Sequence, residues 1–404
     1  MTKNEKLCIL CNALYTLASG MSAVFMNVFL YTYTGSLSVM AIYTCIRIAM
    51  FPICFTIAGK MARKIHYGIT LSIGLIFLVV QLLFVLTCNE LFGIYHYYVY
   101  IVALFYGIGE GFYYLSLNTL HQLVTTPQTR NTFLGLGGVL NNIASVVAPL
   151  MATFIIDVSM DDMNGYINIF KIVVVVFIFM AVIALLINER SNSTEFSVLK
   201  CLSFQKDPQW KYVLMTYFIY GFRDSLVLAL SGLLVYNATN GSGSLYGKLL
   251  ACFAFLTILS YMFVSKTMVR TNRMKYYTLG AIFLSTATIV LVVFPNIYGA
   301  IYYGVVNAIA SAFYSTPLSL ISMNALNDYD KQENIVGRVI ARETYLSISR
   351  CIGMLFIVLC HSLLPENVYL YVSVITLSLS PIVLVIYSNL YHKKRDAMKS
   401  LNQL

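Results

Sequence analysis

Residues 67–87 read YGITLSIGLIFLVVQLLFVLT, with no charged side chain anywhere in the run. About 20 apolar residues wound as an α-helix match the ~30 Å hydrocarbon core of a bilayer. A backbone in lipid must satisfy its own hydrogen bonds, so the run reads as a spanning helix. Comparable runs occur near 8–32, 37–58, 96–119, 133–156 and 167–188. After a polar stretch they resume near 211–236, 246–265, 276–294, 297–324, 337–362 and 367–390. The expected fold class is an all-α membrane protein of twelve transmembrane helices.

Composition agrees. Of 404 residues, 59% are hydrophobic and 10% charged, against about 25% charged in a soluble domain. The net charge of +10 is spread over short loops rather than gathered on a soluble module, which reads as topology control and not as nucleic acid binding. With both termini cytoplasmic, the inner loops hold Lys60, Arg63, Lys64, Arg130, Arg190, Lys200, Lys206, Lys211, Lys266, Arg270, Arg273, Lys275 and Lys331. The outer ones hold only Lys171 and Lys248, beside Glu90, Asp157, Asp161, Asp162 and Glu366. The expected location is the cell membrane, as a multi-pass protein.

Other chemistries find little support. Cys8 and Cys11 form a Cys-x-x-Cys pair without further ligands nearby, so no metal and no cofactor are expected. The five histidines, at 66, 96, 121, 361 and 392, fall near membrane borders and form no catalytic set, so an enzyme is not expected. No phosphate-cradling lysine motif is present, which leaves an ion gradient as the energy source.

The chain repeats at about half its length. Gly20 and Gly221 each lie midway through the first span of a half, and Gly-Phe-Tyr at 111–113 answers Ala-Phe-Tyr at 312–314 at the same offset of 201. Gly59-Lys60 likewise answers Ser265-Lys266. Two six-helix halves of one topology are a known transporter plan.

On these features the chain resembles the major facilitator superfamily of secondary transporters over its whole length. The loop after the second span reads Gly59-Lys-Met-Ala-Arg63-Lys64-Ile-His66-Tyr67-Gly68, where the family typically has Gly-x-x-x-Asp-Arg-x-Gly-Arg-Arg. Arg63 replaces the acid and His66 the second glycine. On the fifth span, Ala144-x-x-x-Ala148-Pro149-x-x-Ala152-Thr153 is similar to the Gly-x-x-x-Gly-Pro-x-x-Gly-Gly signature of proton-driven antiporters, with alanine for most glycines; small residues there serve close helix packing equally well. The resemblance implies an N-terminal six-helix bundle at 1–188, a cytoplasmic linker at 189–210 and a C-terminal bundle at 211–404. It implies a gating role for Gly59, Arg63 and Pro149.

Five charges fall near mid-span: Arg47, Glu110, Arg223, Asp224 and Arg350. Each costs roughly 2.5–3.5 kcal/mol to insert, so they should face a polar cavity or one another. Glu110 lies in Tyr106-Gly-Ile-Gly-Glu110-Gly-Phe-Tyr113-Tyr114, with the three tyrosines at helical spacing on its face. Burial favours the neutral form of a carboxyl group, as a proton carrier needs; a static salt bridge to a buried arginine is the alternative. Asp224 is the second coupling candidate. Arg223, Arg47 and Arg350 offer forks for an anionic substrate, and Tyr106, Tyr113, Tyr114, Asn27 and Asn307 could orient it. Arg223 and Asp224 are sequence neighbours and cannot share one face of a regular helix.

The expected function is secondary active transport of a small amphiphilic or anionic molecule by alternating access, with protons as the coupling ion and export as the direction. A nutrient importer, a lipid-linked flippase and a non-transporting sensor share the architecture. The expected partners are the substrate, protons and the lipid bilayer, with the chain a monomer.

Overall fold

The computed structural model describes residues 1–125, 129–190, 208–269, 271–327 and 335–401. Most of the expected linker, at 191–207, and the basic residues Lys200, Lys206, Arg270 and Lys331 lie outside the described residues. Among the described residues the chain forms twelve helical rods. They are α1 (Lys3–Thr34), α2 (Leu37–Met61), α3 (Tyr67–Cys88), α4 (Tyr97–Leu123), α5 (Arg130–Asp157) and α6 (Asp162–Leu185). The seventh, α7, runs Pro208–Leu226, passes through a π-helical stretch Val227–Ser231, and ends in Gly232–Ala238. Then follow α8 (Gly243–Thr267), α9 (Arg273–Val293), α10 (Ile297–Asn327), α11 (Ile335–Leu363) and α12, which is Glu366–Ser378 continued by Ser380–Leu401.

Eleven of these rods are long and apolar enough to cross a membrane. The exception is α7, whose α-helical turns are interrupted and which carries Lys211, Arg223 and Asp224. Rod ends carry the side chains that free backbone amides require. Thr2 and Glu5 close a capping box on α1, Ser36 caps α2 and Asp161 caps α6.

The chain forms two compact units, Met1–Phe196 with Val235–Phe255, and Ser197–Leu234 with Leu256–Leu404. In the first, α1 packs on α5 and α6, α2 on α4, and α3 on α4 and α6. The segment Val235–Phe255 is bound into this unit at several points. Gly243 N–H donates to Asp162 Oδ2 at 2.7 Å, Lys248 reaches Asp157 at 3.4 Å, and Tyr246 meets Phe25 edge-on. In the second unit, α7 packs on α11, α9 on α10, and α12 on α7 and α9.

The internal repeat is visible as matched helix contacts. A Cβ on Gly20 would lie 2.8 Å from Ala148 Cβ, joining α1 to α5, and one on Gly221 would lie 2.8 Å from Ser349 Cβ, joining α7 to α11. A Cβ on Gly74 of α3 would lie 2.7 Å from Tyr113 N of α4, and one on Gly280 of α9 would lie 2.8 Å from Tyr314 N of α10. In both units small residues bring the same pair of helices to backbone contact, the packing mode membrane helices favour.

Candidate functional site

In the first unit α2 supplies Arg47 and α4 supplies Glu110. Their contact is bidentate: Arg47 Nε donates to Glu110 Oε2 at 2.6 Å and Nη2 to Oε1 at 2.7 Å. The guanidinium also stacks on the Tyr106 ring, 4.0 Å from its centroid. Tyr15 of α1 donates its hydroxyl to Glu110 Oε1 at 3.4 Å and stacks on Tyr113 at 3.7 Å. Tyr114 meets both rings edge-on. Glu110 is 3% exposed, so the pair lies in a medium where a fork-to-fork geometry is needed to offset the loss of water.

The glycines around Glu110 explain how the helices come so close. A Cβ on Gly107 would collide with the Arg47 carbonyl oxygen, and one on Gly111 would lie 2.5 Å from Cys54 Cβ. Gly109 faces α3, where a Cβ would lie 2.7 Å from Leu78. Beside the pair, Tyr15, Ser19, Ser22, Gln81 and Tyr106 line a cavity of about 10 Å³, room for about one water.

In the second unit the neighbours Arg223 and Asp224 diverge, as their position on α7 requires. Arg350 of α11 holds Asp224 Oδ2 through Nε at 2.7 Å and Nη2 at 2.5 Å, and Tyr220 donates to Asp224 Oδ1 at 3.4 Å. Arg223 turns to α10, donating from Nη2 to Asn307 Oδ1 at 2.6 Å. Its Nε is buried without a partner and the residue is 7% exposed. Four of the five mid-span charges therefore neutralise one another in pairs. Arg223 is paired with no carboxylate among the described residues.

The remaining expected residues are more scattered. Asn27 is half-buried on α1; Gly59 is buried near the end of α2, and Arg63 is exposed in the turn beyond it. Pro149 lies inside α5, which continues through it, and the adjacent Ala148 is the residue that meets Gly20. At the start of α11, Arg342 pairs with Glu343 at 3.0 Å and covers the Tyr217 ring, while Arg338 covers Trp210.

Two residues at these sites have no place among the expectations. Tyr220 stands four before Asp224, the spacing that marks Tyr106 before Glu110, so the same rule finds it. Tyr15 comes from a different helix and carries no spacing signal.

The Major Facilitator Superfamily family model matches residues 8–354. The uncharacterised protein YqgE of Bacillus subtilis (strain 168) is 27% identical over 398 residues, covering 95% of this chain and 89% of YqgE. Among solved structures, the nucleoside transporter NupG superposes with a TM-score of 0.70 at 10% identity, over 97% of this chain and 100% of that one. The human organic anion transporter MFSD10 (TETRAN) gives 0.61 at 12% identity, over 96% and 100%. At such identities these likenesses speak for the fold alone.

Proposed function

This chain belongs to the major facilitator superfamily of secondary transporters, and we propose that it moves a small anionic or amphiphilic molecule across the membrane by alternating access, coupled to protons. The observation that carries the substrate class is Arg223, a buried cation without a counter-charge among the described residues. A guanidinium in that state is costly to keep unless an anionic group completes it. Asn307 orients the fork. Glu110 and Asp224 are the proton carriers, and Arg47 and Arg350 become available to the substrate when their acids are neutralised. Tyr106, Tyr113, Tyr114 and Asn27 shape the approach, and Gly59, Arg63 and Pro149 serve gating.

Direction follows from charge. Protonating Glu110 or Asp224 releases an arginine and adds a positive charge, so an anion and a proton favour each other's binding, and linkage makes this reciprocal. An anionic substrate therefore travels with protons, which under an inward proton gradient means uptake. A cationic amphiphile competes with protons for the carboxylates and is exported in exchange, the direction expected from the sequence. The two acids held by arginines favour the first case. In either case the chain is a carrier without cofactor and not an enzyme. It works as a monomer of two six-helix halves, 1–188 and 211–404, in the cell membrane with both termini cytoplasmic, as the loop charges indicate.

The test begins with thermal stabilisation of the purified protein by a panel of organic anions and cations. Compounds that stabilise are then followed in proteoliposomes under an imposed pH gradient of either sign. Anion uptake driven by acid on the substrate side, and lost in Arg223→Gln, supports the reading. Equal transport by wild type and Arg223→Gln would remove it.

A further inference from the structure

The stripe Tyr212, Thr216, Tyr220, Asp224 runs along α7 at a spacing of four, placing three hydroxyls on one face that ends at a carboxylate. It covers about 18 Å of helix. Tyr212 donates to Ser388 Oγ of α12 at 2.9 Å. Tyr220 donates to Asp224 Oδ1 and stacks on Tyr314 of α10 at 6.1 Å. Tyr314 in turn stacks on Tyr277 of α9 at 4.9 Å. Tyr212, Thr216, Tyr277, Tyr314 and Ser388 are all buried; Thr216 adjoins the Tyr212 hydroxyl and Tyr277 sits between Ser388 and Tyr314, although the hydroxyls of Thr216, Tyr277 and Tyr314 close no hydrogen bond of good geometry.

Packing alone does not account for this. Phenylalanine and valine fill the same volumes without burying a hydroxyl, and each buried hydroxyl without a well-formed hydrogen bond is a standing cost; here they lie next to one another and lead to a carboxylate. Leu284, Leu318 and Leu384 pack around Tyr277 and Tyr314 and shield the column with apolar surface.

We propose that these hydroxyls form a proton path from the Tyr212–Ser388 end of α7, the end the loop charges assign to the cytoplasm, to the carboxylate of Asp224. The proposal rests on Asp224 being a coupling group. A proton from cytoplasmic water is taken up by the first hydroxyl oxygen as that group passes its own proton onward. The relay repeats along the column, and Tyr220 delivers a proton to Asp224 Oδ1. Rotation of the hydroxyls resets the column; one proton enters, one carboxylate becomes a carboxylic acid, and no redox change occurs. The groups facing Asp224 are Arg350 from α11, Tyr220 from its own helix and Tyr314 from α10. Neutralising the acid thus leaves Arg350 without its counter-charge.

The test follows the carboxyl stretching band of Asp224 by infrared spectroscopy after a pH jump on full-length protein in lipid, with Asp224→Asn assigning the band. Tyr277→Phe combined with Tyr314→Phe, and separately Thr216→Val, should slow appearance of the band by about a hundredfold while leaving its equilibrium titration in place. Tyr302→Phe, an exposed residue of α10 away from the column, should leave the rate unchanged. If the double variant does not fold, Thr216→Val and the single Tyr277→Phe carry the test. A band that appears as fast in the column variants as in wild type overturns the path and leaves proton coupling at Asp224 standing. Absence of any Asp224-dependent band removes the coupling and the path together.

Discussion

The Arg223 guanidinium rests on Asn307 Oδ1 at 2.6 Å and on no carboxylate among the described residues, although the very next residue is an aspartate. The helix turns the two neighbours to different partners, and that leaves Arg223 as the one mid-span charge without a counter-charge among the described residues.

Replacing Arg223 by glutamine should remove the main contact for an anionic ligand. Hydrogen bonds to charged groups contribute about 1.5–3 kcal/mol, so affinity should fall roughly ten- to a hundredfold. Arg223→Lys should recover only part of it, since a lysine lacks the planar fork. Ligand-dependent shifts of melting temperature in the two variants measure this.

Breaking the Arg47–Glu110 pair from one side should be costly. Glu110→Ala strands a buried guanidinium and should destabilise the protein by about 3–5 kcal/mol. Glu110→Gln keeps the shape and one acceptor, so it should fold and insert, yet lose transport driven by a pH gradient. Wild-type transport by Glu110→Gln at every pH would take Glu110 out of the coupling machinery.

The glycines of α4 and α5 make a paired prediction. Gly111→Ala forces a methyl group against Cys54 Cβ and should cost about 1–3 kcal/mol through overpacking. Gly138→Ala on α5 meets nothing within 4 Å and should be stabilising by about 0.5–1 kcal/mol. Thermal unfolding in one detergent compares them directly. A Gly111→Ala protein as stable as wild type would mean that the α2–α4 approach is looser than described.

Coupling has a sign that can be read. For an anion, acid on the side of entry should accelerate uptake, because protonated Asp224 leaves Arg350 available to it. In Asp224→Asn the arginine is free at every pH, so anion binding should persist with its dependence on acid reduced. Stimulation of anion uptake by acid on the opposite side would reverse the assignment and restore exchange.

Much of this was legible in the chain. The twelve rods follow from uncharged runs such as 67–87, because lipid leaves the backbone no alternative to helix. The matched glycines Gly20 and Gly221 mark equivalent helix contacts, and the divergence of Arg223 from Asp224 follows from helical geometry. The pairing of Arg47 with Glu110 and of Arg350 with Asp224 was one choice among several, since charge identity alone does not say which helices adjoin. Tyr15 was not legible at all, because it reaches Glu110 across helices far apart in sequence. The interruption of α7 was equally silent: Val-Leu-Ala-Leu-Ser reads as ordinary helix.

That interruption is separable from the ion pair. A π-helical stretch houses an additional residue without ending the helix. Excising a single position between Val227 and Ser231 should let α7 close up as uniform α-helix. The turns on either side would keep their relative orientation, because the π-helical stretch had already absorbed the additional residue. The single-residue deletion thus removes the local widening of α7 while leaving Asp224 on Arg350, and separates the work of the widened turn from that of the ion pair.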